Sequence, residues 1–308
     1  MPVLLDCDPG HDDALAITLA LARPELDVLG ITTVGGNVGL RETTRNALRM
    51  LALLDRTDVP VAAGAATPLM RPLEIADDVH GESGLDGADL PEPRSEVRPE
   101  GALAFLRSTL EAAPEPVTLI PTGPLTNIAQ LLLAAPGLAP KIRHVCLMGG
   151  AMREGNWTPA AEFNTWVDPE AARIVFRSGL PITMIGLDVT HQAIFRDTEV
   201  AQLDALGTPV ARVFGDLLRF YARFHRERYG WDGSPIHDAV AVAHVAVPGL
   251  VTTEPYRVDV ETSGEITRGR TVVDSRGVDG PPPNAEVALG IDRDRFAGLL
   301  VEAIASFG

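Results

Sequence analysis

The strongest constraint on how this chain can fold lies at its start. Val3-Leu4-Leu5 is an unbroken apolar run, Asp6-Cys7-Asp8-Pro9-Gly10-His11-Asp12-Asp13 follows, and Ala14 to Leu21 is apolar again. The first run predicts a buried strand, Pro9-Gly10 a turn, and the second run a helix buried on all sides. A buried strand that turns directly into a buried helix fits a sheet covered by helices. The same stretch crowds four carboxylates at the strand end and the first helical turn. A helix N-terminus favours each by about 0.3–1 kcal/mol. Like charges so close still repel and push pKa values up. A hard divalent cation relieves this, because it gathers several carboxylate oxygens at one point. A capping cluster would account for Asp12 and Asp13 but leaves Asp6 and Asp8 unexplained, so the cation site is the preferred reading.

Strand and helix patterns then alternate through about two thirds of the chain. Asp27–Val34 predicts a second strand, ending in Gly35-Gly36-Asn37, with a helix over 41–55. Val59–Gly64 predicts a third. Residues 65–98 are polar and broken by Pro and Gly around His80-Gly81-Glu82-Ser83-Gly84-Leu85-Asp86-Gly87, and so long a loop is a functional candidate. After a helix over 99–112 come strands at Val117–Pro121, Val145–Met148 and Ile182–Asp188. Asp168-Pro169 opens a helix with Asp at the cap and Pro at its first position. Helices follow at 197–206 and 209–228, and Ser234-Pro235 starts the helix of His237-Asp238. Segments 256–262 and 270–274 predict an antiparallel hairpin turning near Gly264, and a helix over 293–306 closes the chain. The expected fold is α/β: one domain over 1–308, with a mainly parallel central sheet flanked by helices and a C-terminal antiparallel hairpin.

Composition narrows the function classes. A net charge of −16 makes nucleic acid an unlikely partner. No apolar stretch is long enough to span a membrane. No basic-then-apolar leader precedes the first strand, so the cytoplasm is the expected location. Cys7 and Cys146 each fall in an apolar strand, which predicts buried free thiols rather than a disulfide.

Ligands of open α/β sheets bind beyond the carboxyl ends of the strands. The polar residues expected there are Asp6, Asp8, Asp12, Asp13, Asn37, Thr122, Met148–Gly150, Asn156, Glu162, Asn164 and Asp188, with His237-Asp238 at a late helix start. Such an acidic, amide-rich set suits a cation and a polyhydroxylated ligand. A phosphate would want a glycine-rich cradle with Lys or Arg, and no P-loop is present.

Asp6-x-Asp8-Pro9-Gly10-x-Asp12-Asp13-Ala14 resembles the N-terminal signature of the nucleoside hydrolases. Further segments resemble that family: Thr33–Asn37, His80–Leu85, Pro121–Asn127, Asn156-x-Thr158-Pro159-Ala160-Ala161-Glu162-Phe163-Asn164, His237-Asp238-Ala239 and Thr267-Arg268-Gly269. The resemblance runs over nearly the whole chain. It implies a nucleoside hydrolase fold with a Rossmann-like core and hydrolysis of the N-glycosidic bond of a small-molecule ribonucleoside. It also implies Ca²⁺ held by Asp8, Asp13, Asp238 and the Thr122 carbonyl, with Asp8 as general base for a calcium-bound water. Asp12, Asn37, Asn156, Glu162 and Asn164 would bind ribose hydroxyls, as would Asp238 beside the cation. His80 and Phe163 would line the base pocket, and His237 would assist the leaving base. Arg223, His225, Arg228, Tyr229 and Trp231 fall where the family varies, so no role is transferred to them. The resemblance further implies a homodimer or homotetramer.

Plainer readings stand beside these. His11 is expected to be a partly exposed loop residue, His191 a packed structural one, and Asn37 on its own a helix cap. Asp6 is expected to orient the ligands rather than bind. Two other functions compete. Asp6-x-Asp8 resembles a haloacid-dehalogenase-type phosphatase with Mg²⁺, but that pattern wants Thr or Val where Gly10 stands and a downstream Lys, and Lys141 is the only lysine. A non-catalytic nucleoside-binding protein would need none of the catalytic carboxylates.

Overall fold

The computed structural model describes residues 1–278 and 280–308. In chain order the elements are β1 (Pro2–Cys7), α1 (His11–Ala22), β2 (Asp27–Thr33), α2 (Leu40–Leu53), β3 (Val61–Ala63), α3 (Asp77–His80), α4 (Gly101–Ala112), β4 (Val117–Pro121) and α5 (Thr126–Ala134). Next come β5 (Ile142–Met148), α6 (Phe163–Val167), α7 (Pro169–Phe176), β6 (Ile182–Ile185), α8 (Leu187–Thr190), β7 (Ile194–Arg196) and α9 (Asp197–Leu206). The rest is α10 (Pro209–Tyr229), β8 (Gly233–Pro235), α11 (His237–Ala246), β9 (Val251–Val260), β10 (Thr271–Asp274), β11 (Ala285–Ile291) and α12 (Arg293–Ala305).

Nine strands form one sheet in the order β10-β9-β11-β6-β5-β4-β1-β2-β3. All pairings from β11 to β3 are parallel, and β9 runs antiparallel to both β11 and β10. Every residue of β1 is buried, and its side chains alternate between two cores. Val3, Leu5 and Cys7 pack with α1, α2, α10, α11 and α12, while Leu4 packs with α4, α5 and α7. Burial on both faces is why β1 reads as an unbroken apolar run. From β1 the chain steps to β2 and β3 on one side and to β4, β5 and β6 on the other. The order therefore reverses between β1 and β4, and their carboxyl ends open the crevice in which such sheets bind ligands.

The parallel α/β reading holds, with the antiparallel hairpin of β9 and β10 joined to the main sheet through β11, a strand whose Gly290 and half-buried residues blur its pattern, and two local expectations are corrected. The strand predicted to run to Asp188 stops at Ile185, and Asp188 lies in the single turn α8. Ser234-Pro235 does not open the helix of His237 but pairs as β8 with β7, each three residues long. Strands that short leave no periodicity to read. Cys7 and Cys146 are buried and unpaired, as expected.

Candidate active site

Asp8 follows β1 and is 1% exposed. Its Oδ2 accepts the Asn37 backbone N–H at 2.7 Å, and its carbonyl accepts Asn37 Nδ2 at 3.1 Å. Two glycines make room for the carboxylate: a Cβ on Gly36 would lie 2.8 Å from Asp8 Cγ, and one on Gly123 would lie 2.9 Å away. Asn37 is thus a partner of the carboxylates; the residue that caps α2 is Gly39. Asp13 Oδ2 accepts the Gly10 N–H at 3.0 Å and Asn37 Nδ2 at 3.4 Å, and its Oδ1 accepts the Thr122 hydroxyl at 2.8 Å. Asp6 sits one layer deeper. Its Oδ1 accepts Thr32 Oγ1 at 2.5 Å and Asn127 Nδ2 at 2.7 Å, which ties β1 to β2 and α5.

Asp238 comes from the first turn of α11, far away in sequence, yet single oxygens of Asp12, Asp13 and Asp238 lie within 4.8 Å of one another. Burial pushes these carboxyls up, Asp12 to about 7 with the charge of Asp13 adding to it, and Asp13 to about 6. Asp8 and Asp238 rise well above the usual carboxylate range, again by burial first and then by neighbouring aspartates. Asp12 Oδ1 and Asp6 Oδ2 are buried without a hydrogen-bond partner among the described residues. No arginine or lysine forms an ion pair with the cluster among the described residues. The donors are all oxygen, their charge is uncompensated, and one buried oxygen lacks a partner beside the cavity. A hard cation with oxygen ligands fits that arrangement; Asp12 belongs to the tightest triad as much as Asp13 and Asp238 do.

A cavity of about 260 Å³ opens above the cluster. Asp12, Asn37, His80, Thr122, Asn156, Glu162, Phe163, Asn164, His237 and Asp238 all line it, while Asp8 and Asp13 lie beneath. Asn164 Nδ2 donates to the Thr122 carbonyl at 2.7 Å and to the Met148 carbonyl at 3.2 Å. Glu162 caps α6: its Oε1 accepts the Asn164 N–H at 2.8 Å, and its Oε2 those of Gly150 at 2.8 Å and Thr165 at 3.0 Å. Asn156 Oδ1 accepts the Phe163 N–H at 3.0 Å. This end of the cavity is acidic and amide-rich.

The other end is aromatic. Trp231 stacks on Tyr229 with centroids 4.6 Å apart and on His225 at 5.9 Å, and His191 meets both Trp231 and His237 edge-on. His237 Nδ1 is 2.7 Å from Thr190 Oγ1. Burial holds His80 and His237 well below the ordinary imidazole range and His225 down to about 4. These rings are neutral at pH 7. Of the residues left without a role, His225, Arg228, Tyr229 and Trp231 line the cavity, whereas Arg223 lies over the Phe220 ring, 4.4 Å from its centroid.

One histidine expectation fails. His11 is fully buried: its ring stacks on Phe220 and Tyr221, its Nδ1 is 3.2 Å from His80 Nδ1, and its Nε2 is 2.9 Å from the Asp86 carbonyl. A residue beside Pro-Gly reads as loop, but here it is the first residue of α1 and α10 closes over it. His191 packs against Trp231 and His237 and also lines the cavity. Sequence reasoning also missed Tyr221, Phe224 and Trp157 as lining residues. The first two belong to the apolar period of α10, a pattern that otherwise signals core. The phosphatase alternative loses its parts: Asp6 is occupied beneath the cavity, and Lys141 donates to the Ala113 carbonyl at 3.0 Å, outside it.

Fold, strand-end carboxylates and polyol-suited cavity together define a nucleoside hydrolase. Residues 3–298 match the sequence profile described as inosine-uridine preferring nucleoside hydrolase, and the chain belongs to that family. It is 52% identical over 305 residues to the pyrimidine-specific ribonucleoside hydrolase RihA of Escherichia coli O7:K1, covering 99% of this chain and 98% of that one. It is 51% identical to the RihA of Salmonella arizonae, covering 100% and 99%. Among solved structures, the purine-preferring ribonucleoside hydrolase from Gardnerella vaginalis superposes with a TM-score of 0.94 at 35% identity, covering 100% and 99% of the two chains. No helix among the described residues is long and apolar enough to cross a membrane.

Proposed function

We propose that this single catalytic domain hydrolyses the N-glycosidic bond of pyrimidine ribonucleosides, releasing ribose and the free base. The observation that carries the reading is the convergence of Asp12, Asp13 and Asp238, with Asp8 beside them and without a basic partner, at a cavity that is acidic at one end and aromatic at the other. The pyrimidine preference rests on the relatives of about 52% identity, which carry that specificity in their names.

Asp8, Asp13, Asp238 and the Thr122 carbonyl would hold Ca²⁺. When bound, the cation supplies a lowered water pKa and attraction for the sugar hydroxyls. Asp8 takes the proton of the attacking water, a task within reach of a carboxylate when that proton has been made more acidic. Asp12, Asn37 and Asp238 orient the 2′- and 3′-hydroxyls; Asn156, Glu162 and Asn164 take the 3′- and 5′-side. Cleavage of a glycosidic bond builds positive charge on the sugar. Glu162, a fixed carboxylate bordering the cavity, favours that charge. His80 and Phe163 border the base, and His237 donates a hydrogen bond to the leaving base. The protein acts in the cytoplasm as a homodimer or homotetramer.

The deciding experiment measures ribose release from uridine, cytidine, inosine, adenosine and guanosine, each with and without a strong calcium chelator. Release from the pyrimidine nucleosides, abolished by chelation and restored by Ca²⁺, is expected. Release that chelation leaves untouched would remove the cation from the reading, and release from purine nucleosides alone would remove the pyrimidine preference.

A further inference from the structure

We propose that Glu74 and Arg268 are positioning residues, which together hold Trp157 and α6 as the outer wall of the cavity. Three stretches far apart in sequence meet at the Glu74 carboxylate. Its Oε1 accepts Arg268 Nη2 at 3.0 Å, its Oε2 accepts Trp166 Nε1 at 3.0 Å, and Trp157 hydrogen-bonds to it as well. The Arg268 guanidinium lies 3.5 Å from the centroid of the Trp166 ring, so one planar cation serves both the carboxylate and the indole.

The wall needs this support because the main cores do not supply it. Ala76, Phe163 and Val167, with Trp157 and Trp166 against them, form a small apolar cluster separate from the two large ones. Satellite clusters of this kind open locally more readily than the core. Helix α6 has only five residues, too few to hold its own direction. Yet its first residues, Phe163 and Asn164, and its cap Glu162 face the cavity. Its far end is where Trp166 meets Glu74. The turn bearing Arg268 also lies hard against α6: at Gly269, with φ of +76°, a Cβ would come within 2.6 Å of Trp166 Cα. Arg268 Nε is buried without a partner among the described residues, so the guanidinium is placed for Glu74 and Trp166 at the expense of one of its own donors. Thr267-Arg268-Gly269 lies outside the cavity lining, and this contact gives it a role.

The kinetic arm of the test rests on the ribonucleoside hydrolase reading; the spectroscopic arm does not. Glu74→Gln and Arg268→Gln are each expected to raise KM for the ribonucleoside about 5–20-fold with kcat within about threefold of wild type, the pattern of lost uniform binding. The double variant is expected to be no worse than the worse single one, because both act through one contact. Tryptophan emission should shift to the red in each, since two of the three tryptophans pack at this contact. Arg268→Lys, which keeps charge but not the planar fork, should fall between and serves if a glutamine variant does not fold. Wild-type KM and emission in these variants, or effects that simply add in the double variant, would overturn the proposal. A wild-type protein inert toward every ribonucleoside would sink the functional reading alone, and emission would still decide this one.

Discussion

At the acidic end of the cavity, side chains are fixed by hydrogen bonds to backbone; at the aromatic end they are fixed by one another. Asp8 takes an amide of Asn37, Glu162 takes three amides, and Asn164 donates to two carbonyls at strand ends. These partners lie at the exits of β2, β4 and β5 and in α6. The other end is made of ring contacts among His225, Tyr229, Trp231, His191 and His237 on α10, the segment after it, α8 and α11. Directed hydrogen bonds define where an oxygen must sit to within tenths of an ångström. Stacked rings accept sliding and exchange of partners. The end proposed to take the sugar and the cation is therefore fixed by directed bonds, with α6 held in turn at Glu74, and the end proposed to face the base is adaptable without disturbing the sheet.

The largest effect should come from the rigid end. Asp8→Ala is expected to lower kcat by about a thousandfold or more, since on the proposed mechanism it removes a base and a cation ligand together. Near-normal turnover in that variant, with the fold intact by circular dichroism, would break the division of labour. Next comes His237→Ala, expected to cost about a hundredfold on uridine, within the usual range for one acid–base group. It should cost far less on nitrophenyl riboside, whose leaving group needs no proton. Equal losses on both would move His237 to the sugar or cation side. Trp231→Ala should raise KM about tenfold through lost stacking while kcat stays near wild type.

The smallest effect separates the two ends by pH. Burial raises the carboxyls of Asp12 and Asp13, to about 7 and about 6. Raised carboxyls stabilise the native state below their unfolded range, and that stability is lost as pH rises through 6 to 7. The buried histidines act the other way: with His225 near 4, the native state loses stability as pH falls below the ordinary imidazole value of 6.5. Comparing melting temperatures with Ca²⁺ and with chelator at one pH cancels the histidine contribution. The gain from Ca²⁺ is expected to be a few degrees and larger at about pH 8 than at about pH 6. A gain independent of pH would mean that the cation does not sit on these carboxylates.

What could be read from the sequence follows the same division. Strand-end residues announce themselves, because an apolar run that stops in Asp-Pro-Gly or Gly-Gly-Asn marks both strand and exit. Asp8, Asn37 and Thr122 were legible that way; Asn37 and Thr122 line the cavity and Asp8 lies beneath it, whereas Glu162 caps α6 away from any strand end. Tyr221 and Phe224 were not, because a helix lining a cavity and a helix lining a core show the same apolar period. His11 misled for a related reason: whether a residue beside a turn is exposed depends on what packs over it, and here that is α10.

By itself, then, the sequence determined the parallel sheet and the carboxylates at its edge, since both follow from local pattern and from the chemistry of like charges. Only the tertiary structure decided that Asp12 completes the tightest triad with Asp13 and Asp238. It alone decided that His11 is buried against His80, and that Glu74 and Arg268 meet across 194 positions of chain. The physical reason is that periodicity records which face of an element is buried, whereas a site depends on which distant elements are brought together.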